Sequence, residues 1–142
     1  MDHNQVIRFL DSLLKYCLVG VLSLSTLMFL FVFIINWEDR FFGTKLDGLP
    51  AGLYLLAKWL IAGVLAVAFV KYPRYSLHLA AIAAMFYGWL VVDSSITIQR
   101  NGTGYFSPVL TVCFIIAVAF LIVHAVVVRC YRETGSPGGI FQ

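Results

Sequence analysis

Two ionisable side chains, Lys58 and Asp93, fall inside long apolar stretches, and they are the first places in this chain where chemistry could be done. A charge at the centre of a membrane helix costs about 2.5 to 3.5 kcal/mol on insertion scales, so such residues need a partner, a water path or an escape to the interface. Lys58 lies about seven residues from one end of its stretch and Asp93 about five from the matching end of the next, depths near 10 and 7 Å at the helical rise. Similar depth on neighbouring antiparallel helices permits a Lys58–Asp93 ion pair. That pair would lock the helices together or bind a proton, cation or charged substrate. The plain alternative has Lys58 snorkelling outward and Asp93 solvated beside Ser94 and Ser95.

The imidazoles come second. His78 lies four residues beyond Arg74 and His124 five before Arg129, so both sit at similar depth near the other end of neighbouring helices. Two such imidazoles could ligate a b-type haem. Against this, each is flanked by aliphatic residues, and a histidine one turn inside an interface is common. Cys17, Cys113 and Cys130 form no C-x-x-C pair and no metal-ligand spacing, so they read as packed or idle thiols. Asn101-Gly-Thr103 matches a glycosylation sequon but lies close to an apolar segment. No nucleophile, general base or phosphate loop accompanies these residues. The expectation is a protein that is not an enzyme and that holds no resident metal or cofactor.

The elements that must position these residues follow from composition. Of 142 residues, 61% are hydrophobic and only 12% charged, which leaves too little polar surface to coat a water-soluble globule. The 17 charged side chains avoid whole stretches: none lies between Lys15 and Glu38, and none between Arg100 and Arg129. A hydrocarbon core of roughly 30 Å needs about 20 helical residues. That ruler predicts four spans, at about 16–36, 51–70, 75–98 and 105–128, in a single all-α membrane domain folded as an up-down bundle with short loops. Pro50, Pro73, Pro108 and Pro137 fall at helix starts, in a turn or in the tail, and none interrupts a span. The connections are too short to contain a soluble catalytic or nucleic-acid-binding domain.

Orientation follows from the basic residues. Arg8, Lys15, Lys71, Arg74, Arg129 and Arg132 share one side, whereas Arg40, Lys45 and Arg100 share the other. Lys and Arg accumulate in cytoplasmic loops, so both termini are expected in the cytoplasm, with the chain in the cell inner membrane. The first span, with a 21-residue uncharged core and no A-x-A-like site after it, is expected to remain uncleaved. Ahead of it, Val6, Ile7, Phe9, Leu10, Leu13 and Leu14 alternate with Arg8, Asp11 and Lys15. This pattern fits a short amphipathic segment lying on the cytoplasmic face, unless the first helix simply begins early. The largest polar piece, residues 37–50, reads as a loop on the outer surface anchored by Trp37, Phe41 and Phe42. Residues 134–139 read as a flexible tail without a lipidation box.

The third span carries a packing signal. Ala80, Ala84 and Gly88 recur at i, i+4 and i+8, a small-residue face that lets another helix approach closely. Asp93 points away from that face and shares its direction with His78, Ile82, Phe86 and Trp89, which implies a contact with a partner or a second copy there. No internal repeat supports an inverted-repeat transporter. Three functions follow in order of support. The first is a non-catalytic inner-membrane protein acting through helix–helix contacts as an accessory subunit, assembly or immunity-type factor, partnered by the lipid bilayer and another membrane protein or itself. The second is a small transporter or pore using Lys58 and Asp93. The third is a haem-binding redox subunit using His78 and His124. Nucleic acid is not an expected partner, because the net charge of +3 reflects membrane-anchoring residues.

Overall fold

The computed structural model describes residues 2–35, 38–102 and 107–133. They form four long helices, α1 (His3–Ile35), α2 (Leu49–Lys71), α3 (Ser76–Asn101) and α4 (Ser107–Glu133). An antiparallel hairpin of β1 (Glu38–Phe41) and β2 (Thr44–Asp47) stands between α1 and α2. All four helices are long and apolar enough to cross a membrane. The Trp37 anchor, Thr103 of the sequon, the start of the fourth span at Tyr105 and the tail lie outside the described residues.

The first helix begins well before the charge-free stretch at Tyr16. Its 33 residues reach about 50 Å at the helical rise, more than one hydrocarbon thickness. The segment expected to lie along the surface is therefore the opening of α1. The reason is a protein surface on which to pack: Asp11 Oδ1 lies 3.0 Å from His124 Nδ1, and the Arg8 guanidinium sits 4.9 Å from the centre of the Tyr131 ring. These contacts join the start of α1 to the end of α4.

Local chemistry sets the other boundaries. Gly48, at φ 66°, precedes α2, and Pro50 occupies its first turn, where a missing N–H costs no hydrogen bond. A single 3₁₀ turn, Pro73–Tyr75, links α2 to α3, and Ser76 Oγ donates to the Pro73 carbonyl at 2.6 Å. Gly102 takes the left-handed conformation after α3 and returns its N–H to the Ile98 carbonyl at 2.8 Å.

Helix α1 packs against α2 and α4, and α3 packs chiefly against α4. The buried core gathers Leu18 and Leu22 of α1, Leu65 and Phe69 of α2, Ala80, Ala83 and Tyr87 of α3, and Ala117 and Phe120 of α4. Most of these lie in the half of the helices nearer the 3₁₀ turn. Phe69 and Phe120 meet edge to face with centroids 5.9 Å apart, and Tyr87 shares a 2.8 Å hydrogen bond with Ser25. On α3, Ala80 and Ala84 are buried, and a Cβ at Gly88 would lie 3.2 Å from Cε2 of Phe114 on α4.

That spacing generates a test. Gly88→Leu forces the Phe114 ring out of its place and is expected to cost about 1–3 kcal/mol. Thermal or denaturant unfolding of the purified chain in detergent would measure this, and an unchanged midpoint would mean that α3 and α4 do not meet at Gly88.

Candidate functional site

The hairpin turns at Phe42 and Gly43, whose φ values of 47° and 84° are both positive. Two positive φ values in a two-residue loop are the condition of a type I′ turn, which matches the right-handed twist of the strands. Glycine adopts that conformation freely. Phenylalanine does not, and it persists there only where its surroundings over-determine it.

Helix α3 supplies those surroundings. Asp93 Oδ1 accepts the Phe42 N–H at 2.6 Å, and Thr97 Oγ1 accepts the Gly43 N–H at 3.1 Å. Arg100 Nη1 donates to the Phe42 carbonyl at 3.0 Å, and Asn101 Nδ2 donates to the Gly43 carbonyl at 3.0 Å. Residues 93, 97, 100 and 101 fall on one helical face by their i, i+4, i+7, i+8 spacing. Every backbone polar group of the two turn residues is thus bonded by a side chain of one helix. A Cβ at Gly43 would come within 2.6 Å of Arg100 Cδ, so the close approach itself requires glycine. Aromatic rings complete the seat: Phe42 meets Trp89 edge to face at 4.9 Å, and Phe41 meets Tyr54 at 5.4 Å.

This hairpin intervenes between Lys58 and Asp93, so they neither pair with each other nor reach solvent. The Lys58 ammonium pairs instead with Asp39 of β1 and lies 4.1 Å from the centre of the Tyr54 ring and 5.6 Å from that of Phe29. Asp93 takes the Phe42 N–H and, at 3.0 Å, the Tyr54 hydroxyl, whose oxygen lies 3.3 Å from Trp89 Nε1 as donor. Both charges are well buried, at 9% exposure for Lys58 and 6% for Asp93. The physical reason is that β1 and the turn bring a carboxylate and an amide N–H into the space that the two side chains would otherwise share. The face of α3 bearing Asp93 is consequently turned at that level toward the chain's own hairpin, not toward a second molecule.

The face of the hairpin carrying Glu38, Arg40, Lys45 and Asp47 is exposed, and the first three of these border a cavity. There Lys45 lies 3.2 Å from Asp47 and 3.7 Å from Glu38. The hydrogen bond to Asp47, then the charges of Asp47 and Glu38, raise the Lys45 ammonium above its ordinary pKa of 10.5. A raised pKa means that whatever this pairing adds is fully present below about pH 10.5 and is lost as the pH climbs through the folded value. Hairpin order is expected to be flat through neutral pH and to decline only in strong alkali, as followed by circular dichroism and limited proteolysis.

Beneath the hairpin lies a cavity of about 610 Å³. Its walls include Leu24 and Met28 of α1, Leu55 and Lys58 of α2, Leu90 and Ser94 of α3, and Val109 and Val112 of α4, with Glu38 to Arg40 of β1 at its rim. Leu24, Met28, Val109 and Val112 remain exposed, so the cavity is not sealed. The Ser94 hydroxyl is buried without a hydrogen-bond partner.

Of the remaining candidates, only Cys113 borders this site. His124 is bonded to Asp11 and stacked on Phe120 at 5.2 Å, whereas His78 is exposed. Cys113 is buried against the cavity, Cys17 and Cys130 are exposed, and no disulfide joins them. Among the described residues, no group of three His, Cys, Asp or Glu side chains could hold a metal ion. No protein-family model, curated protein or solved structure matches the chain. The site is therefore interpreted from its own chemistry.

Tyr54, Asp39, Thr97, Arg100 and Asn101 join Lys58 and Asp93 in this site, although none of them is an isolated charge within an apolar stretch. The readable signal was the polar i, i+4, i+7, i+8 stripe at the end of α3. A decisive variant is Asp93→Ala, which leaves the Phe42 N–H and the Tyr54 hydroxyl without their acceptor. Hydrogen bonds to a charged group contribute about 1.5–3 kcal/mol each, so amide exchange across residues 38–47 should accelerate at least tenfold. Asp93→Asn, which keeps an acceptor oxygen, should change it less. Unchanged exchange in Asp93→Ala would show that the carboxylate does not hold the turn.

Proposed function

We propose that the chain is an integral inner-membrane protein of four alternating spans that acts by binding and not by catalysis, and that its ligand is a lipid-like amphiphile taken into the cavity under the hairpin. The cavity is the observation that carries this reading. Its volume of about 610 Å³ lies within the range of small-molecule sites. Its walls are mostly apolar along the helices, Ser25 apart, and its charged groups gather near the hairpin, which is the distribution that a molecule with a tail and a head requires. The exposed wall residues Leu24, Met28, Val109 and Val112 give such a molecule a sideways entry.

Membrane residence is supported by the four long apolar helices and by the outward Leu24, Leu27, Phe31, Ile34 and Ile35 of α1, a surface too apolar for water. The excess of Lys and Arg at the end carrying Arg8 and Arg129 supports cytoplasmic termini and an outward-facing hairpin. The same exposed face of α1 favours a second reading, in which a helix of another membrane protein docks there and the chain serves as an accessory subunit. Transport through Lys58 and Asp93 would require both charges to leave the hairpin, and haem ligation would require His124 to leave Asp11.

Two measurements test the proposal. Leu24→Trp and Val112→Trp, one on each wall, should lower retention of a pyrene-labelled phospholipid in nanodiscs by about tenfold, equivalent to about 1.4 kcal/mol. Retention equal to that of the unaltered chain would overturn the binding reading. For topology, an impermeant maleimide should label exposed Cys130 only after the membrane is opened; labelling in intact cells would reverse the orientation.

A further inference from the structure

The polar groups around the cavity are unequally satisfied, and the imbalance has a sign. Glu38 and Asp47 share Lys45, Asp39 holds Lys58, and Asp93 accepts two hydrogen bonds. Each carboxylate of the hairpin and cavity wall therefore faces a cation or a donor. Lys58 is also occupied, since its ammonium lies between Asp39 and the rings of Tyr54 and Phe29.

Arg40 is different. It lines the cavity, and among the described residues its guanidinium has neither an ion pair nor a hydrogen bond. The strand register places it directly opposite Lys45 on the same face of the hairpin. Lys45 is already flanked by Glu38 and Asp47, so among the described residues Arg40 is the cation of this face that no carboxylate engages. The second open group is the Ser94 hydroxyl, buried in the cavity wall with nothing to bond. The carboxylates are engaged, and the open groups can donate.

We infer that the amphiphile held by this site is an anionic phospholipid. This rests on the cavity reading above. Its phosphate pairs with Arg40, whose planar fork suits phosphate oxygens, and Ser94 donates to a phosphate or ester oxygen. Its acyl chains lie along the apolar walls of α1 and α4. The hairpin then selects the head group while the helices accept the tails, whatever their length.

The test uses the full chain in nanodiscs, with pyrene-labelled phosphatidylglycerol and pyrene-labelled phosphatidylcholine in competition. The anionic probe should be preferred about fivefold at low salt, the size expected of one partly exposed ion pair. The preference should shrink at high salt and approach unity in Arg40→Gln, while Arg40→Lys retains part of it. Unchanged amide exchange across residues 38–47 in Arg40→Gln would confirm that the hairpin is intact. Equal binding of both probes to the unaltered chain, with both blocked by Leu24→Trp and Val112→Trp, would overturn the head-group inference and leave the cavity reading standing. Binding of both probes that the filling variants leave unchanged would overturn the cavity reading and this inference together. Co-purification of a protein whose helix occupies the cavity and excludes both probes would do the same.

Discussion

The arrangement depends on one polar stripe. Asp93, Thr97, Arg100 and Asn101 meet the N–H and C=O groups of Phe42 and Gly43, two acceptors against two donors and two donors against two acceptors. A hairpin of four-residue strands is marginal by itself, and this one also places phenylalanine at positive φ. Its stability is therefore borrowed from α3. Backbone bonds to charged groups are stronger than neutral ones, so Asp93 and Arg100 carry the larger share.

Fixing the hairpin also explains how two charges tolerate burial in an apolar bundle. Removing one member of a buried pair is far more costly than never having had the pair, and here each charge is surrounded. Asp39 reaches Lys58 from the strand, Tyr54 links Lys58 to Asp93 through its ring and its hydroxyl, and Trp89 completes the chain of donors. The polar network occupies the hairpin end of the helices, and the packed aromatic and alanine core occupies the other. Between them the helices do not close, and the cavity is the space that remains.

Much of this architecture is legible in the sequence because the bilayer-length ruler is strict. Charge-free runs locate α1 and α4, and prolines and glycines mark the ends of α2 and α3. The opening of α1 was ambiguous because Arg8 and Asp11 look solvent-directed until His124 and Tyr131 are brought beside them from the far end of the chain. The hairpin was hidden for a related reason. Its strands are short and charged, its turn lacks the Asn-Gly or Asp-Gly signal, and the groups that stabilise it lie more than fifty residues away. Local propensity says loop, and a distant helix overrides it. Lys58 and Asp93 were recognisable as exceptional, but which partner each takes depends on that hidden element.

The separation in sequence also dictates an order of events. As the chain emerges, residues 38–47 precede the stripe that holds them by roughly fifty positions, with all of α2 and most of α3 in between. Closing so long a loop has an entropic cost that must be met before any contact rewards it. The turn therefore cannot lock when it is made; it waits for Asn101. Locking is then a report that α3 has been seated at the correct depth and rotation, since a shift of one residue would carry the stripe about 100° away from the turn. The hairpin becomes native only once α3 is seated, and a bundle assembled with α3 out of register would carry it loose.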